Sequence, residues 1–104
     1  MIIKIALPRF LSIADEDRFF SGFHRISAVR EFTGVARGLN INLDGRKMSI
    51  QNIRELIALL HRYGVELEPL AVLSKGRYSE WLKNPDAYWY ESMFSREDTN
   101  GQRV

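Results

Sequence analysis

The apolar residues of this chain switch repeatedly between a period of two and a helical period, and the order of the switches constrains the fold more than any single motif does. Residues 2–7, IIKIAL, place Ile3, Ile5 and Leu7 on one side and Lys4 on the other. That is the alternation of a half-buried strand, and Pro8 ends it because it has no backbone donor. From Ser12 the period lengthens. Ser12 stands three residues before Asp15 in the manner of a capping box, and Asp15, Glu16 and Asp17 suit the positive end of a helix. Phe19, Phe20 and Phe23 follow at helical spacing, so a helix is predicted over residues 14–24, weakened at Gly22 by about 1 kcal/mol relative to alanine. Two alternating runs come next, 27–33 and 38–43, separated by Gly34-Val35-Ala36-Arg37. In the second, Leu39, Ile41 and Leu43 oppose Asn40 and Asn42, as in a strand with one wet face.

Asp44-Gly45 is a turn signal, and Ser49 suits the N-cap of a helix whose Ile50, Ile53, Leu56, Ile57 and Leu60 form one stripe. His61 and Arg62 favour its C-terminal end, and Gly64 stands where a left-handed cap is needed. Beyond it Val65 and Leu67 alternate with Glu66 and Glu68, and Leu70-Ala71-Val72-Leu73 after Pro69 has the makeup of a short buried strand. Ser79 can cap a turn holding Trp81 and Leu82, and Asn84-Pro85 opens a last helix over residues 86–94. The order is that of an α+β protein of the ferredoxin-like, split βαββαβ kind: a four-stranded antiparallel sheet with helices on one face and an added C-terminal helix. One domain is expected over residues 1–95, with 96–104 as a flexible tail.

Composition narrows the chemistry. With 45% hydrophobic residues among 104 the chain has the apolar content of a folded domain, and no apolar run reaches the roughly 20 residues of a membrane span. The start of the chain carries Lys4 and Arg9 around a short apolar run and does not read as a signal peptide, so a cytoplasmic location is expected. The absence of cysteine removes disulfides, thiolate metal sites and thiol catalysis. Fifteen Lys and Arg against thirteen Asp and Glu give a net charge of only +2, and the cations are interspersed with acids rather than gathered in a block, so a nucleic-acid partner is not expected. An RNA-recognition sheet would carry base-stacking aromatics on its central strands. Arg37-Gly38-Leu39-Asn40-Ile41 keeps the first two positions of such a motif and has no ring.

No catalytic or cofactor-binding constellation emerges. His24 and His61 are far apart and lack metal-ligand spacing, and His61 is accounted for by its place at a helix end. Gly34 and Gly38 form no phosphate loop. Glu66 and Glu68, two apart in an extended segment, would share a face, but acid-base work needs a pocket that separates their pKa values, and a solvated edge explains them better. The chain is therefore expected to be no enzyme and to need no cofactor or metal.

The feature that ordinary packing explains least is the aromatic load of residues 78–94, which hold six of the twelve rings. Trp89, Tyr90, Met93 and Phe94 fall on one helical stripe and suit a core. Tyr78, Trp81 and Tyr88 fall outside it, close to Arg77, Lys83 and Asp86, and exposed Trp, Tyr and Arg are the residue types of interface hot spots. With Asp17-Arg18-Phe19-Phe20, Leu59-Leu60-His61-Arg62-Tyr63-Gly64, and Trp81 followed by Tyr88-Trp89-Tyr90 and Met93-Phe94, the chain resembles the small bacterial immunity proteins of polymorphic and contact-dependent growth inhibition toxin systems. The resemblance implies a non-catalytic cytoplasmic protein that binds one cognate toxin domain and neutralises it. Immunity proteins against nucleases are often acidic, whereas this chain is slightly basic. A local acidic patch, for which Glu66, Glu68, Asp86 and Glu91 are the candidates, or a toxin that is not a nuclease, would reconcile the two. The alternative is a ferredoxin-like regulatory domain that binds a small ligand or RNA, with a homodimer through the sheet compatible with it.

Overall fold

Strand β1 (Ile2–Ala6) buries Ile3 and Ile5 and exposes Ile2, Lys4 and Ala6, the alternation its sequence carries. The computed structural model describes residues 1–94, and the chain divides into two compact units, Met1–Val65 and Glu66–Val104. The first unit holds β1, α1 (Ile13–His24), β2 (Val29–Val35), β3 (Gly38–Leu43) and α2 (Ile50–Arg62). Its sheet has the order β1-β3-β2, with β3 antiparallel to both neighbours. Ile3, Ile5, Leu39, Ile41 and Leu43, none more than 2% exposed, form the buried face. On the opposite face the register aligns Ile2 with Asn42 and Glu31, and Lys4 with Asn40 and Thr33. Between Val29 and Glu31 the register shifts by one residue, which makes Arg30 the extra residue of a bulge.

The two helices begin where the sequence says they should. The Ser12 hydroxyl accepts from the Asp15 N–H at 3.0 Å, and the Ser49 hydroxyl accepts from the Asn52 N–H at 3.1 Å. Helix α1 buries Phe19 and Phe23, whose rings meet edge to face at 5.1 Å, and Phe23 leans on Phe32 of β2 at 5.4 Å. Helix α2 buries Ile53, Leu56, Ile57 and Leu60. It ends in a Schellman motif: Gly64, at φ +73°, donates to the His61 carbonyl at 3.1 Å, and Val65 donates to that of Leu60 at 2.9 Å. The hairpin turn is tighter than the four residues between the expected strands. Val35 pairs with Gly38, which leaves only Ala36 and Arg37 in the turn.

The fourth strand expected after Pro69 is not formed. Glu68–Lys75 is a 3-10 helix with the proline in its first turn, where a fixed φ and a missing donor suit a helix start and not a ladder. Leu67, Leu70 and Leu73 recur every third residue, which is one face of a helix with three residues per turn, and all three are buried while Val72 is 42% exposed. A continuous apolar run has no period of its own, and the spacing of the leucines on either side of the proline decides here. The α+β class stands, with a three-stranded antiparallel sheet among the described residues in place of the four-stranded ferredoxin-like one. The second unit continues through α3 (Ser79–Leu82), a run of turns, and a helix over residues 90–94. The last helix starts later than residue 86 because Asn84 holds a turn: its side chain accepts from the Asp86 N–H at 3.0 Å and its carbonyl from that of Ala87 at 3.0 Å. The expected tail at 96–104 lies outside the described residues. Among the described residues no helix is long and apolar enough to cross a membrane.

Candidate functional site

Residues 77–94 belong to the second unit, and two of their rings, Trp81 and Tyr88, pack against Trp89. This side chain is 6% exposed, and its indole N–H donates to the Leu82 carbonyl at 2.8 Å across the turns that follow α3. A buried indole needs such a partner, and the bond ties the helix end to residue 89. Two rings lie against it. Trp81 packs at 4.9 Å between centroids with the planes tilted by 51°, and Tyr88 meets it edge to face at 5.1 Å and 78°. Trp81 is half-buried, while Tyr88 stays 53% exposed. The result is a ridge with a buried, hydrogen-bonded anchor and an outward ring held against it.

The expected cations border aromatic rings within the same unit. The Arg77 guanidinium lies 5.9 Å from the centre of the Tyr78 ring, and the Lys83 ammonium lies 5.9 Å from that of Phe94. Contacts of this length at exposed sites are worth about 0.5–1 kcal/mol and keep a long side chain near one place. Trp89 and Phe94 are buried and Tyr90 is half-buried, in line with the stripe assigned to packing. The acidic candidates are less organised. Glu66, Asp86 and Glu91 are exposed, and Glu68 is half-buried in the first turn of the 3-10 helix. Glu66 and Glu68 do not share the face of an extended segment, because Leu67 between them is in the right-handed helical region at φ −93° and ψ −3°. Among the described residues no three or more acidic or imidazole side chains are grouped so as to hold a metal ion.

No protein-family model, curated protein or solved structure matches this chain. The site therefore rests on its own geometry.

The first unit carries a feature that the sequence reading passed over. A groove of about 450 Å³ runs between α1 and α2, and a separate hollow of about 420 Å³ that reaches Arg9 shares Arg18, Arg62 and Tyr63 with it as lining residues. Helix α1 contributes Arg18, Ser21 and Gly22 together with its C-cap residue Arg25, and α2 contributes Glu55, Ala58, Leu59 and Arg62. Each set has the spacing i, i+3, i+4, i+7, the signature of one helix face. The pattern is present in the sequence, but each helix also carries a stronger apolar stripe, and the polar face attracts no notice until the two helices are set side by side. Gly22 allows their approach: a Cβ there would stand 2.7 Å from Cδ1 of Leu59. The glycine that costs α1 stability by propensity is the residue over which α2 packs.

Proposed function

We propose that this protein is a non-catalytic protein-binding module of the immunity type, which binds a cognate bacterial toxin domain and neutralises it. The observation that carries this is the ridge in which buried Trp89 fixes half-buried Trp81 and holds exposed Tyr88 outward. Interface hot spots are large rings whose ordering cost has been met before the partner arrives, surrounded by polar groups that close off water. Arg77, Lys83, Asp86 and Glu91 supply polar groups in the same unit. The acids Glu66 and Glu68 belong to the same proposed surface. For the fold, the β1-β3-β2 order supports a split βαβ core related to the ferredoxin-like arrangement.

The test is binding of the purified chain to the toxin domain encoded beside it, followed by calorimetry. A one-to-one complex is expected, and Tyr88→Ala and Trp81→Ala should each weaken it by about thirtyfold or more, the scale of a hot-spot truncation. Absence of a neighbouring toxin, or full affinity in both variants, would remove the reading. The open sheet face does not favour RNA, since Ile2, Lys4, Asn40, Asn42, Glu31 and Thr33 give it no ring on which a base could stack.

A further inference from the structure

The sheet of the first unit leaves one face open, and two asparagines occupy its centre. Asn40 and Asn42 lie on β3, between Lys4 of β1 on one flank and Glu31 of β2 on the other. Asparagine is depleted in strands, where threonine solvates a wet face at lower cost. Among the described residues neither amide side chain has a hydrogen-bond partner, so the fold makes no use of them. Lys4 and Glu31 are both exposed, and among the described residues neither belongs to an ion pair. They stand one step apart in register: Lys4 is level with Asn40 and Thr33, and Glu31 is level with Asn42 and Ile2.

This pattern complements itself under one symmetry operation. A twofold axis along β3, midway between two copies that face each other, lays β1 of each copy over β2 of the other and β3 over β3. Such an interface needs groups that either match themselves or exchange with their complements. An amide does the first, because it carries both donors and an acceptor, and sheets packed about 10 Å apart bring these short side chains within bonding reach of their own counterparts. Lys4 and Glu31 do the second. Lys4 of each copy lies over Thr33 of the other, with Glu31 about 7 Å further along that strand, within reach of a lysine side chain. Ala6 meets Val35, which is 40% exposed. A twofold axis across the strands would instead set β1 on β1 and bring like charges together on both flanks, so charge selects the first arrangement.

We propose that the open sheet face binds a second copy of this chain, as a reversible twofold dimer of aligned sheets. The occupant follows from the symmetry of the face, with amides on the axis and opposite charges exchanged across it. Other ligands of an open sheet find little there. No ring is present for a base, and Ile2 and Val35 stand at opposite corners rather than in one apolar patch. Area sets the strength. Three strands about 4.8 Å apart and five residues long make a face of about 14 by 17 Å, well under the roughly 800 Å² per partner of a stable complex. Self-association is therefore expected at protein concentrations of about 0.01–1 mM. The proposal goes beyond the toxin-binding reading: it concerns a different unit of the chain and does not use the Trp81 and Tyr88 ridge.

The experiment is sedimentation equilibrium of the full chain across that range, repeated on charge variants whose circular dichroism is unchanged. Lys4→Glu leaves an acid on both flanks of the face, and Glu31→Lys leaves a base on both. Each should weaken self-association by about tenfold or more, because symmetry reverses two exposed pairs at once. An equimolar mixture of the two variants should dimerise again, since every acid then faces a base, and so should the double variant Lys4→Glu/Glu31→Lys. Asn40→Asp should weaken the dimer by setting two carboxylates against each other on the axis. A monomer at every concentration, self-association that survives both single variants, or a mixture that stays monomeric would each overturn the proposal. Tyr88→Ala should dimerise like the unaltered chain; loss of the dimer in it would move the contact to the second unit and overturn the proposal as well. Lys4→Glu should bind the toxin domain with full affinity, so failure of the ridge and failure of the sheet face are read separately.

Discussion

Phe19 sits at the centre of the aromatic cluster of the first unit. It is fully buried, and its ring lies within 5.1–5.4 Å of those of Phe10, Phe20, Phe23 and Tyr63. Each edge-to-face contact adds to area burial, and deletion would leave a cavity that four rigid rings cannot close without strain. Phe19→Ala is expected to lower stability by about 3–5 kcal/mol, read as a fall in the urea midpoint with an unchanged slope. The helical spacing of Phe19 and Phe23 made their burial legible in the sequence. The company they keep was not, because Phe10, Phe32 and Tyr63 come from three other segments. Gly22 is the counterpart: propensity counts it as a weakness in α1, and only Leu59 across the helix pair explains it.

At the scale of elements, local chemistry predicts well wherever a side chain answers its own backbone. Ser12, Ser49 and Gly64 cap helices as their positions demand, since a cap involves residues within one turn. The hairpin is a different case. Ala36 sits at φ 54°, in the left-handed region where a Cβ crowds the following carbonyl at a cost of about 1–2 kcal/mol, in a turn of a kind usually filled by Gly or Asn. Ala36→Gly relieves that crowding but increases the freedom of the unfolded chain, so a gain of about 0.5–1 kcal/mol is expected, seen as a rise in Tm. An unchanged or lower Tm would mean that the turn tolerates alanine. The segment after Pro69 shows the limit of pattern reading. An apolar run of four suits a strand or a helix equally, and the spacing of Leu67, Leu70 and Leu73 has weight only once a 3-10 helix is considered.

In the whole molecule, the two tryptophans lie in the second unit and the three strands with both long helices lie in the first. Tryptophan emission therefore reports from within the second unit, and far-ultraviolet dichroism mostly on the first. Leu82 is fully buried, and its carbonyl receives the Trp89 indole. Leu82→Ala is expected to cost about 2–5 kcal/mol, lowering the midpoint seen by emission and moving the native emission to longer wavelength as water reaches Trp89. Native emission left unchanged would show that the indole does not depend on that packing. The sequence by itself determined α1 and α2, their caps, the β-hairpin and the inward faces of β1 and β3, because periodicity and capping depend on neighbours a few residues away. Tertiary structure alone decided that β1 lies beside β3, that Trp89 anchors Tyr88, and that two unremarkable polar helix faces meet as an arginine-lined groove. These depend on which distant residues come together, and that choice belongs to packing.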